Sequence, residues 1–364
     1  MRFSLPLVSN MASNSNMASN VASTVRLTLA ILLLGLPSMT LAQSENTQAK
    51  GTIRVGVIGL DTSHAGAFSK IMREAPASSP MARLKIVAAF PGGSPDLPSS
   101  IDRVPNYTKE FQSQGVQIVD SIDELLGKVD AVILNSLDGR KHLEQAYPVF
   151  MSGKRVFIDK PLAADLTDAI AIAKLAEHFK TPWFTSSSLR FTPTIYRYRE
   201  NTERKILGAQ AWSPCSLEPH HTDLTWYGIH GVEALYTAMG TGCEQVTRTK
   251  TEGADLVVGK WKDGRIGVFR GIRTGTQGYG LTVFGNDFLE NDAKYEGYEP
   301  LVLQIAKFFA GGPTPVESQE SLEIMAFIQA AQQSSDQKGI PVSLQSVMEN
   351  ASAQALQKIQ PWIQ

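Results

Sequence analysis

The sequence predicts an α/β fold in which an N-terminal Rossmann-type, doubly wound parallel sheet is followed by a C-terminal α/β domain with an open antiparallel sheet. Three observations carry this. Between Thr52 and Ser186 short β-rich runs alternate with stretches of helical period, after Arg190 β-runs follow one another without helices between them, and two long amphipathic stretches come near the end. The first pattern implies right-handed crossovers and a mostly parallel sheet covered on both faces, and the second implies hairpins.

The strands expected in the first part are IRVGVI from Ile53, LKIVAAF from Leu84, VQIV from Val116, DAVILN from Asp130, KRVFID from Lys154 and TPWFTS from Thr181. Each is rich in β-branched or aromatic residues. Helical spacing starts at Ala65 and returns in TDAIAIAKLAEHFK from Thr167. The stretch PGGSPDLPSSIDRVPNY after the second strand reads as an irregular loop, because Pro, Gly and Ser dominate it. In the second part ADLVVGKW, RIGVFRGI and YGLTVFG read as strands, and Asp263-Gly264 suits a tight hairpin turn. Helices with apolar stripes are expected from about Glu299 to Ala310 and from Ser318 to Ser334, separated by the loop GGPTP.

The expected organisation is a signal peptide over 1–42, a linker over 43–51, the Rossmann-type domain over 52–186 and the second domain over 187–364, its terminal helices packing back on the first. Arg26, the apolar run LTLAILLLGL, and the small residues Thr40 and Ala42 ahead of Gln43 have the layout of a secretory signal. The run is too short to span a bilayer comfortably. Export by the general route, to the periplasm or beyond and with no stable membrane anchor after cleavage, is the expectation.

Of the 364 residues 43% are apolar and 19% charged, which fits a globular chain long enough for two cores. Lys plus Arg (34) nearly balances Asp plus Glu (35), so no strong field favours nucleic acid or an anionic membrane. Small molecules are the expected partners. Cys215 and Cys243 are the only cysteines, too few for a cysteine-built metal site, and spacing does not decide whether they pair.

The stretch RVGVIGLDTSHAGAF, residues 54–68, runs strand, turn, helix. A dinucleotide turn at that place asks for G-x-G-x-x-G. Gly59 takes the first position, but Asp61 and His64 stand in the second and third. A carboxylate about 4 Å from a phosphate costs ~1 kcal/mol in water and several times that near a protein surface. Thr62 and Ser63 still offer a hydroxyl cap and a helix N-terminus to an anion. The end of the second strand, VAAFPGG, lacks the acidic residue expected at a ribose hydroxyl.

The run DAVILNSLDGRKHLEQAYPVFMSGKRVFIDKPLAADLTDAIAIAKLAEHFKTPWFTSSSLRF resembles the Gfo/Idh/MocA family, the relatives of glucose-fructose oxidoreductase and inositol 2-dehydrogenase. Asp159-Lys160-Pro161 stands where the family has Glu-Lys-Pro. YGIHGVEALYTAMG resembles its histidine-bearing helix, and PVESQESLEIMAFIQAAQQSSDQKGIPVSL its C-terminal helix. The resemblance implies a sugar or polyol derivative between the two domains and hydride exchange with NAD or NADP. It implies Lys160 and His230 as catalytic residues and a cis Lys160-Pro161 bond. Cofactor contacts would come from Gly59, Asp61, Thr62, Ser63, His64, Asn135, Ser136, Asp159 and Lys160. Substrate contacts would come from Arg190, His220, His221, Tyr227 and Glu233, and the open sheet is one on which a homo-oligomer could form. Trp226 stands where the family commonly has an acidic residue one turn before its histidine. Glu233, one turn after, is the available replacement. His220, His221, Asp223 and His230 fall within a dozen residues, but without a helical H-x-x-x-H pair no metal site is assigned. A non-redox carbohydrate-binding protein, or a redox-neutral sugar lyase or hydrolase, are the alternatives on the same scaffold.

Overall fold

The computed structural model describes residues 51–200, 203–292 and 295–363, so the expected signal peptide and all of the expected linker except Gly51 lie outside the described residues. The first sheet contains β1 (Ile53–Ile58), β2 (Leu84–Phe90), β3 (Gln117–Ile118), β4 (Ala131–Leu134), β5 (Val156–Asp159) and β6 (Trp183–Ser186). Its order is β3-β2-β1-β4-β5-β6 with every pair parallel. The helices between these strands are α1 (Ser63–Glu74), α2 (Pro98–Ile101), α3 (Val104–Ser113), α4 (Ile122–Leu126), α5 (His142–Met151) and α6 (Leu166–His178). The supposed loop after β2 is therefore partly helical. Pro98 opens α2 and Pro105 lies in the first turn of α3, where a missing N–H costs nothing.

Side-chain alternation divides each central strand between two faces. Val55 and Val57 of β1, Ile133 of β4 and Phe157 of β5 join Phe68 and Met72 of α1 in one core. Ile58, Val132, Leu134, Val156 and Ile158 face the other way, toward Leu143 of α5 and Ile170 of α6.

The chain continues through α7 (Pro193–Glu200), β7 (Ile206–Pro214), α8 (Ile229–Met239), β8 (Cys243–Lys250), β9 (Ala254–Trp261), β10 (Ile266–Ile272), β11 (Gly280–Gly285) and β12 (Leu289–Asp292). It finishes with α9 (Glu299–Phe309), α10 (Ser318–Asp336), β13 (Val342–Ser343) and α11 (Leu344–Ile359). The second sheet has the order β12-β11-β7-β10-β9-β8-β13. It is mixed rather than purely antiparallel, because β7 lies between β10 and β11 and runs parallel to β10. Residues 273–279 carry the chain past β7, so the neighbours in sequence β10 and β11 do not pair. The expected Asp263-Gly264 hairpin joins β9 to β10, with Gly264 at φ +86°.

Both α10 and α11 pack on α6, and α9 covers the α1 face of the first sheet through Leu301, Ile305 and Phe308. Cys215 and Cys243 are buried, unpaired thiols. No helix among the described residues is long and apolar enough to cross a membrane.

At the carboxyl end of β1 the chain approaches the loop after β4 closely. Gly59 has φ +94°, and a Cβ there would lie 2.4 Å from the Ser136 backbone nitrogen. Gly59→Ala should therefore lower unfolding free energy by about 2–4 kcal/mol. Urea denaturation checks this, and a loss under about 1 kcal/mol would contradict the close approach.

Candidate active site

The carboxyl ends of the parallel strands face a cavity of about 190 Å³. The β1–α1 turn supplies Thr62, Ser63 and His64, and the residue after β5 supplies Lys160. From the second half come His230 in the first turn of α8 and Tyr227 just before it. Tyr279, Tyr295 and Tyr298 form another wall, and Arg103 reaches in from the start of α3. The Lys160-Pro161 bond is cis.

Three nitrogen-bearing side chains meet there. His230 Nδ1 lies 2.7 Å from Ser187 Oγ, which also accepts from Leu189 N at 3.1 Å, so Nε2 is the nitrogen left without a partner among the described residues. Burial pushes the His230 pKa well below the ordinary imidazole value, and the nearby Lys160 and His64 push it further. His230 is thus a neutral base at pH 7. Lys160 is 8% exposed, with Nζ 5.6 Å from the Tyr227 ring centroid. Burial lowers its pKa, the Asp159 carboxylate works against that, and Arg103 adds to it. His64 Nδ1 donates to Asp159 Oδ2 at 2.5 Å, and its ring stacks on Phe68 with Tyr298 at its edge. A carboxylate so placed fixes the imidazole's orientation. Asn135, its amide turned, accepts from Ala65 N (2.9 Å) and donates to Asp159 Oδ2 (3.2 Å).

The fold places a dinucleotide's diphosphate in the crevice where strand order reverses, here between β1 and β4. That crevice is filled. Asp61 has no exposed surface, and its carboxylate accepts from Leu137 N at 3.0 Å and from Ser100 Oγ at 2.6 Å. Burial raises its pKa and these two hydrogen bonds oppose the rise. A second set of bonds lies beside it. Ser94 Oγ donates to Asp138 Oδ2 (2.6 Å), while Arg140 holds both Asp138 and Asp96. Burial would raise the Asp138 pKa, but the bonds from Arg140 and Ser94 prevail and hold it at about 2. Residues 91–103 are in this way tied to both walls of the crevice, and Ser136, also expected at the cofactor, donates instead to Gln145 Oε1 at 2.8 Å. The residues present do not fit a diphosphate in the usual pose.

The expected substrate contacts divide. Tyr227 lines the cavity, whereas Arg190, Glu233, His220 and His221 do not. Arg190 is buried and donates to Glu233 (2.6 Å) and Glu320 (2.7 Å), a pairing that fastens the segment after β6 to α8 and α10. A buried guanidinium needs such partners, so these charges serve packing. His220 and His221 both bond Glu218, at 2.7 and 2.6 Å, and His221 Nε2 accepts from Gly139 N at 3.1 Å. Both histidines therefore belong to the loop network beside the crevice. Sequence reasoning missed Arg103, Ser187, Tyr279, Tyr295 and Tyr298. The dense tyrosines of YEGYEP, in a stretch without strand or helix period, were the available signal. Asp61→Gly removes the bridge across the crevice and should cost about 2–4 kcal/mol in chemical denaturation. No loss would mean that the carboxylate holds nothing.

Residues 53–182 match the family described as "Oxidoreductase family, NAD-binding Rossmann fold". No curated protein matches the chain. Among solved structures, a probable dehydrogenase from Thermotoga maritima superimposes with TM-score 0.66 at 19% identity, covering 81% of this chain and 100% of that one. GenD2 from gentamicin A biosynthesis, in complex with NAD, gives 0.65 at 16% identity over 80% and 96%. The scyllo-inositol dehydrogenase from Lactobacillus casei, solved with bound NAD(H) and scyllo-inositol, gives 0.62 at 13% over 80% and 99%. At such identities the likeness establishes the fold. The strand order, the match over 53–182 and the Asp159-Lys160-Pro161 segment ending β5 agree: residues 53–182 match the NAD-binding Rossmann fold of the Gfo/Idh/MocA oxidoreductase family.

Proposed function

We propose that this chain acts on a sugar or polyol derivative held in the cavity between the two sheets, with Lys160 and His230 as its acid–base pair. One observation carries the reading: an ammonium from the end of β5 and a neutral imidazole from α8, far apart in sequence, share one cavity and one aromatic neighbour, Tyr227. His230 Nε2 accepts the proton of a bound hydroxyl, and Lys160 holds and polarises the oxygen it leaves. The tyrosine rings suit the C–H faces of a cyclic polyol, and their hydroxyls suit its oxygens. The polyol seen in the Lactobacillus casei relative supports this class of ligand.

What happens to the electrons separates two readings. The closed crevice favours a redox-neutral reaction: a lyase step in which a C–C or C–O bond of the ligand breaks, or a hydrolase step in which water adds across one, with His230 and Lys160 taking up and returning the protons. Dehydrogenation with NAD or NADP is the second reading. The family favours it, as does a groove of about 710 Å³ beside the end of β2, lined by Gly92, Gly93, Asp123 and Gln145, where an adenosine would lie. If residues 1–42 direct export, as their layout suggests, the protein works where no free nicotinamide pool exists. That supports the first reading.

A thermal-shift titration separates them. A ligand present well above its Kd stabilises by ~2–3 kcal/mol. The expected result is a shift with sugars or polyols and none with NAD(H) or NADP(H). A shift with a dinucleotide alone would establish the second reading instead. Lys160→Met and His230→Gln should each lower turnover on a substrate found this way by about 10²–10⁴-fold with circular dichroism unchanged. Because His230 stays neutral to below its ordinary range, activity should persist under pH ~6.5 and fall only in more acid solution. A drop centred on the ordinary histidine value would remove His230 from the role.

A further inference from the structure

We propose that the ligand of this cavity is an anionic polyhydroxy compound, its carboxylate or phosphate group seated between Lys160, Arg103 and the N-terminus of α1. The inference rests on the sugar or polyol reading above and narrows it to acids.

The charges around the cavity point this way. Lys160 is 8% exposed and its ammonium takes no hydrogen-bond partner among the described residues; Nζ lies 5.6 Å from the Tyr227 ring centroid. Arg103 lines the same space and likewise makes no ion pair among the described residues. The twelve-residue helix α1 begins at the cavity wall, where Thr62 and Ser63 line it, and a helix N-terminus carries partial positive charge. Against these stand few negative groups. None of the residues lining the cavity is Asp or Glu. The carboxylate that acts on Lys160, Asp159, is engaged by His64 at 2.5 Å and by Asn135. The remaining polar lining is neutral hydroxyl: Ser188 and the tyrosines, with Ser188 Oγ already 3.1 Å from Tyr295 OH.

A neutral sugar would leave two cations facing each other across a small, half-enclosed space. A carboxylate or phosphate between them removes that repulsion and gives the buried ammonium the charge-assisted hydrogen bonds it lacks. The rest of the ligand then lies toward His230, whose free nitrogen meets a hydroxyl. Lys160 accordingly has two duties: it fixes the acid group and it holds the oxygen next to it.

The test is isothermal titration of the purified protein with three six-carbon ligands: sorbitol (neutral), gluconate (carboxylate) and sorbitol 6-phosphate (phosphate ester). At least one of the two acids should bind about ten-fold or more tightly than sorbitol, the size expected of one charge-assisted hydrogen bond. The tighter acid identifies the oxyanion. In Arg103→Gln, an exposed position whose change leaves the core intact, that preference should shrink to about three-fold, and in Lys160→Gln it should vanish. Sorbitol binding as tightly as both acids overturns the inference while leaving the polyol reading standing. So does an acid preference that both variants leave unchanged. If none of the three binds, the polyol reading itself fails and this inference falls with it.

Discussion

A single carboxylate decides how the upper rim of the first sheet is built. Asp61 occupies the position where a dinucleotide fold needs the bare backbone of a second glycine, and it is wholly buried. A buried carboxylate without donors is costly, so its environment must provide them. Leu137 N–H comes from the loop after β4 and Ser100 O–H from the segment after β2. Three stretches of chain are thereby joined at one point. Beside that junction residues 91–103 lie across the crevice, Ser94 and Arg140 converge on Asp138, and Glu218 gathers the two histidines.

Closing the crevice leaves the deeper cavity intact and changes its character. In a fold of this kind the third glycine lets helix and strand approach. Here His64 fills that place, and Asp159 at the end of β5 is its hydrogen-bonding partner. The result is an imidazole backed by a carboxylate, a second imidazole backed by a serine, and an ammonium, all around a space walled by tyrosines. Groups able to take or give protons line this cavity, and the crevice beside it is closed by the Asp61 hydrogen bonds.

Much of this was legible in the chain and some was not, for physical reasons. The six parallel strands could be read because each lies in a short β-rich run, and the departure at Asp61 and His64 could be read because glycine positions in a phosphate turn are few and fixed. Their consequences could not. The partners of Asp61 lie 39 and 76 residues away along the chain, one in a Pro- and Ser-rich stretch with no periodicity to mark α2. Arg190 and Glu233 were expected among the substrate contacts because of the family resemblance around the helix that carries His230. Glu320, 130 positions beyond Arg190, completes a buried structural cluster with both. The cavity tyrosines belong to connections, where side-chain placement depends on tertiary packing that local pattern does not encode.

The position of β7 has a consequence for how this molecule is made. Its two partners in the sheet, β10 and β11, are synthesised later, and β11 ends at Gly285. A growing chain therefore presents β7 with both edges bare until β10 is complete, 58 residues on, and with one edge bare until β11 is complete, 71 residues on. Non-local strand pairing of this sort is slow, and an open edge invites the wrong neighbour. Whatever holds the nascent chain through that interval, a chaperone or the ribosome surface, governs the yield of correctly assembled protein as much as the stability of the finished fold does.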